Sequence, residues 1–223
     1  TRSITVAVPA AFAPTYPLLV TVVAVVLGVA GYAVGSTWQA SVSMAGYAAA
    51  AMVAAILLQL PWSQTWFAKG GWTSITGVAP AGGGGHSVFG LARFDLGDVT
   101  LGALALALYL PLLGALLLAK GWRFTWAVRG AALAIVFLVL AVLADRNALG
   151  VNPPEPGILL VPVAVGLALG AACFTAAMQD DVMVGGFGWR QPVGLLCTAG
   201  LGLGLVPGGV NVASGRWNTP RST

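Results

Sequence analysis

The sequence predicts an all-α fold: a polytopic bundle of about six transmembrane helices with a short interfacial segment in one long loop. Three observations predict it. Charged residues make up only 7% of the chain, against roughly 25% in an ordinary soluble domain. Hydrophobic residues make up 58%, and they are gathered into runs long enough to cross a hydrocarbon core about 30 Å thick. Nearly all the charges fall between those runs, as a bilayer requires of a chain that crosses it repeatedly.

Tyr16 and Pro17 introduce the first expected helix, 18–34, with proline where a missing N–H does no harm and tyrosine at interfacial depth. Gly28, Gly31 and Gly35 give it a small-residue side that another helix can approach. After the short connection of Ser36 to Gln39, an alanine-rich helix is expected over 40–60, stopped by Pro61. This opening run is longer than a signal-peptide core and lacks a basic flank with a cleavage site.

The long loop, 61–100, has two halves. Trp62, Trp66, Phe67 and Trp72 are spaced beside a membrane boundary and predict a short interfacial helix. Gly82 to Gly85 form a flexible glycine run, and the absence of a following GK[ST] removes a phosphate-cradle reading. His86 is the only histidine and has no second histidine or neighbouring cysteine to complete a metal shell, so neither metal nor cofactor is expected. Asp98 is placed to cap the helix that follows.

Residues 101–119 and 127–144 predict a transmembrane hairpin around the turn Lys120 to Arg129, KGWRFTWAVR, with Pro111 introducing a kink in the first arm. Asp145 and Arg146 mark the opposite boundary, and Asn152 to Gly157, NPPEPG, reads as a stiff connector. The fifth helix is expected over 158–178, with Gly166 and Gly170 spaced for close packing. Asp180 and Asp181 read as its solvated end. A sixth, short helix is expected over 193–206 between Trp189 and Pro207, with Gly200, Gly202 and Gly204 as a packing surface. Cys173 and Cys197 lie inside apolar runs and behave as small hydrophobes.

The net charge of +4 is the balance of ten basic and six acidic residues, the basic ones spread over many short loops. They form no contiguous stripe for nucleic acid, and membrane lipids with anionic headgroups are the fitting partner. Lys120, Arg123, Arg129 and Arg190 fall on one side of the predicted topology, and short basic loops mark the inner face, so this side is expected to be cytoplasmic and the glycine-rich loop external. Arg123, Arg129 and Arg190 are the candidate contacts to an anionic lipid or diphosphate. Trp122, Trp126 and Trp189 are the candidate interfacial anchors, and the spacing of Trp122, Trp126 and Arg129 places them on one helix face within cation–π reach.

No catalytic residue is identified. A pair of carboxylates within the apolar runs, which a proton-coupled transporter would normally show, is missing from the sequence.

Four stretches, LARFDLG (Leu91 to Gly97), GWRFTWAVR (Gly121 to Arg129), FGWRQP (Phe187 to Pro192) and GRW (Gly215 to Trp217), resemble the membrane region of large actinobacterial family 2 glycosyltransferase-like proteins. In such proteins a cytoplasmic nucleotide-sugar transferase domain precedes the membrane helices and the product is a cell-envelope glycan. The resemblance therefore implies a multi-pass cell-membrane module that anchors such an enzyme and positions a lipid-linked sugar, alongside a soluble transferase domain or partner subunits. This chain has no DxD motif and no βαβ pattern, so transfer chemistry is expected outside it. Thr1 in place of an initiator methionine fits a fragment of a longer protein. The alternative expectation is a structural or accessory subunit of a membrane complex whose glycine-rich helix faces dock onto partners; half of a transporter is the weaker third.

Overall fold

The apolar runs fold as helices whose ends are set by glycine, asparagine and proline. A computed structural model describes residues 16–58, 60, 85–96, 102–149, 154, 156–182 and 188–214. In chain order these form α1 (Tyr16–Ala33), α2 (Trp38–Leu58), the short α3 (Val88–Ala92), a 3-10 segment (Ala103–Leu108) leading into α4 (Tyr109–Leu118), α5 (Trp122–Asp145), α6 (Pro156–Ala177) and α7 (Arg190–Ala213). A π turn, Met178–Val182, extends α6. No strand occurs among the described residues. Among the described residues, four helices are long and apolar enough to cross a membrane: α2, α5, α6 with its extension, and α7. The segments 18–33 and 103–118 are apolar but shorter. This is an α-helical membrane protein.

The chain divides into two units. One comprises residues 1–85 and 139–162, and its main described feature is the α1–α2 hairpin. The connection is a Schellman turn: Ser36 N–H donates to the Gly31 carbonyl and Gly35 N–H to that of Tyr32, with Gly35 at φ +93°. Thr37 then caps α2, its Oγ1 accepting from Ala40 N–H at 3.3 Å. Gly28 faces the Ser41 backbone, where a Cβ would stand 3.3 Å from the carbonyl oxygen. Thr21 Oγ1 donates to Met52 Sδ at 3.1 Å. Of the three glycines on the small side of α1, Gly28 thus packs the hairpin and Gly35 turns the chain. Tyr32 and Trp38 meet edge to face across the turn, centroids 5.6 Å apart.

The other unit comprises residues 86–138 and 163–223. Its packing depends on glycines that let helices touch backbone to backbone, the route open to helices in lipid, where no hydrophobic force drives association. Gly130 of α5 faces the Gly166 carbonyl of α6, while Gly170, one turn further, takes Leu112 of α4. The GxxxG pair of α6 therefore serves two different neighbours. Gly114 of α4 receives Phe174 and Cys197. Ala115, Leu118, Ala127, Cys173, Phe174 and Cys197 close a buried cluster. On α7, Gly200 and Gly204 receive Leu110 and Leu108, whereas Gly202 faces open space. The predicted three-glycine surface is thus two glycines one turn apart, because positions two residues apart point to different sides of a helix.

Four further sequence expectations change. The second arm of the central hairpin begins at Trp122, not near residue 127, so the turn shrinks to Ala119–Gly121 with Gly121 at φ +58°. The aromatic and basic residues extend the helix beyond its apolar span. The last helix runs 190–213, through Pro207; a membrane helix tolerates proline where neighbouring groups satisfy the freed carbonyl. Ahead of Pro111, the first arm takes the form of a 3-10 segment, in which Tyr109 N–H reaches the Leu106 carbonyl. The fifth helix starts at Pro156, proline being well suited to a first helical position. The tryptophan-rich half of the long loop, the glycines 82–84 and Asp98 lie outside the described residues.

Candidate anionic-headgroup site at one end of the second unit

Four helix ends converge at this site. α4 ends at Leu118 and α5 begins four residues later at Trp122. The π turn closes α6 against the start of α7: a Cβ on Gly194, one turn after Arg190, would stand 2.6 Å from Met178 Cε. Lys120, Arg123, Arg129 and Arg190 are carried by these ends, together with Trp122, Trp126 and Trp189.

The electrostatics of the end are unusual. Helix N-termini carry a partial positive charge and favour acidic residues in the first turn, by about 0.3–1 kcal/mol each. Neither α5 nor α7 has an acidic residue there. Arg123 is instead the second residue of α5 and Arg190 the first of α7. Two positive helix ends, each carrying a basic residue in its first turn, therefore lie at this end of the unit, and such ends attract anions.

Arg123 forms an ion pair, through Nη2, with Asp180 Oδ2 on the π turn. The Arg123 side chain is only 16% exposed, the Asp180 side chain 61%. The sequence reads Asp180 as a solvated helix end; it is exposed on the turn that ends α6, and the structure adds an ion pair that the sequence did not show. The pair joins residues 57 positions apart, and the available signal was that both fell at helix ends on the same predicted side. Arg123 also stacks on Trp122 at 5.8 Å.

Arg129 lies two turns into α5, its guanidinium 4.8 Å from the Trp126 ring centroid. Since Trp126 is one turn nearer the helix end, the side chain is drawn back toward the interface over an aromatic face. The expected contact between Arg129 and Trp126 is present, whereas Trp122 meets Arg123. Trp122 and Trp189 are strongly exposed, at 65% and 60%, and Trp126 less so, at 37%. Arg190 is half-buried beside Trp189 in sequence.

Elsewhere in the unit an apolar cavity of about 490 Å³ is lined by Phe94, Leu108, Leu167, Leu201 and Leu205 with alanines of α6. Phe94 holds φ +58° at the end of α3, where glycine or asparagine is usual. Tyr109 Oη donates to the Ala92 carbonyl at 3.1 Å and ties α3 to α4. The sequence offers no signal for this cavity, because its lining residues are ordinary membrane-helix residues. Among the described residues no three of His, Cys, Asp and Glu are grouped to hold a metal.

No family model matches the chain, and neither a curated protein nor a solved structure is significantly similar to it.

Proposed function

We propose that this chain is a membrane-embedded module that holds a phosphate-bearing lipid headgroup at the end built from Lys120, Arg123, Arg129 and Arg190. The observation that carries the reading is the placement of cations at the N-termini of α5 and α7, where stability alone favours anions. Arginine suits phosphate through its planar fork of donors. Trp122, Trp126 and Trp189 set the depth of this end at the headgroup level. The resemblance of GWRFTWAVR and FGWRQP to the membrane region of family 2 glycosyltransferase-like proteins narrows the ligand to a lipid-linked sugar phosphate at the cytoplasmic face of the cell membrane. Transfer chemistry then belongs to a soluble domain or partner, with this segment as anchor and acceptor platform.

The test is lipid binding in nanodiscs. The wild-type chain is expected to retain phosphatidylglycerol over phosphatidylcholine, and an Arg129→Ala variant to lose part of that preference; unchanged retention in Arg129→Ala and in Arg190→Gln overturns the assignment.

One observation favours the accessory-subunit reading. Only 11% of the apolar window of α2 is buried, which leaves a long alanine-rich surface for lipid or for another helix. The glycines at 114, 130, 166, 170, 194, 200 and 204 are by contrast occupied within the chain.

A further inference from the structure

Asp180 pairs with Arg123, one of the cations of the proposed headgroup site, and we infer that it is a built-in competitor: its carboxylate holds Arg123 until a lipid phosphate displaces it. The inference rests on the headgroup reading above and adds its regulation.

Three observations support it. Asp180 is presented from an anchored turn, not from a fraying helix end, because Met178 of the same π turn is seated against Gly194 and the buried cluster around Phe174. Turns of this i→i+5 kind inside or at the end of α-helices recur at functional sites, since they shift the following residues out of the α register. The two partners also differ in exposure. Arg123 is mostly covered and its Nε is buried, so it stays in place, whereas Asp180 is largely exposed and moves into water at little cost. Finally, the pair runs through Nη2 and Oδ2, and a lipid phosphodiester offers two charged non-bridging oxygens that a guanidinium engages through two parallel bonds. A phosphate brought by a lipid is held at the correct depth by its own tails. Exchange thus replaces the Arg123–Asp180 pair with one whose anion the lipid tails hold in place, and releases Asp180 to solvent.

The experiment titrates phosphatidylglycerol into the wild-type chain, Asp180→Asn, Arg123→Gln and the double variant in phosphatidylcholine nanodiscs, read by native mass spectrometry. Asp180→Ser serves as a second variant at the same position, and inorganic phosphate at matched ionic strength separates a headgroup from a free anion. Both Asp180 variants are expected to bind phosphatidylglycerol more tightly by roughly two- to fivefold, the factor equivalent to an exposed ion pair. Arg123→Gln is expected to abolish that gain, so that the double variant matches it. A gain in phosphatidylglycerol binding that inorganic phosphate at the same ionic strength does not suppress assigns the displacing anion to the lipid. Equal affinities in wild type and both Asp180 variants overturn the competitor role while leaving the headgroup site standing. Failure of every variant, wild type included, to distinguish phosphatidylglycerol from phosphatidylcholine overturns both.

Discussion

Gly130 of α5 and Gly166 of α6 meet so closely that a Cβ added to Gly130 would stand 2.7 Å from the Gly166 carbonyl oxygen. That separation is below any real side-chain contact, and the obstructing atom is backbone, which cannot rotate aside. Gly130→Leu and Gly166→Leu should therefore each destabilise the second unit by at least about 1–3 kcal/mol, the usual cost of overpacking. Thermal unfolding in detergent checks this, with Gly202→Ala, which faces open space, expected to change stability by less than about 0.5 kcal/mol.

Phe174 is 1% exposed and packs with Cys173 and Cys197 in one buried cluster. Phe174→Ala should cost about 3–5 kcal/mol. The two thiols give an independent readout: a membrane-permeant maleimide should modify Cys173 and Cys197 slowly in the wild type and much faster in Phe174→Ala. Equal rates would show that the ring does not seal the cluster.

Arg129 and Trp126 should be coupled. The contact at 4.8 Å is expected to contribute about 0.5–1 kcal/mol at an exposed site and more where water is excluded. A double-mutant cycle on Arg129→Gln and Trp126→Leu, read as stability in nanodiscs, should return a coupling energy of that size. Strict additivity would assign Arg129 to the headgroup alone.

Asn147 holds φ +53° at the end of α5, where Ala148 N–H donates to the Leu143 carbonyl and Asn147 N–H to that of Ala144. Asn147→Gly should be tolerated, whereas Asn147→Val should cost about 1–2 kcal/mol because a branched side chain clashes in the left-handed region. Chemical or thermal unfolding of the two variants distinguishes them.

These cases show what was legible in the sequence. Apolar run length and the position of charges were enough for the all-α membrane class, since both follow directly from the bilayer. The GxxxG spacing of Gly166 and Gly170 gave the side of α6 that packs, but not that its two glycines face different helices, which depends on tertiary arrangement. Helix ends were misjudged at Trp122 and Pro207 because apolar content stops at the hydrocarbon boundary while hydrogen-bonded helix continues past it. At the candidate site, the Arg129 and Trp126 contact is local, three residues apart, and was readable as helix periodicity. The Arg123 and Asp180 pair is not local, and only folding brings the ends of α5 and α6 together.

The end carrying Arg123, Arg129 and Arg190 is expected to select a phosphate-bearing lipid, and the lipids that leave the membrane with the protein report on that selection. The chain and its Arg123→Gln, Arg129→Gln, Arg190→Gln triple variant would be extracted from the same host membrane in polymer nanodiscs, and their lipids quantified by mass spectrometry. Anionic phosphate lipids are expected to be enriched around the wild-type chain relative to the bulk membrane, and this enrichment is expected to be lost in the triple variant. Bulk composition around the wild-type chain, or equal enrichment around both proteins, would show that these arginines select no such lipid.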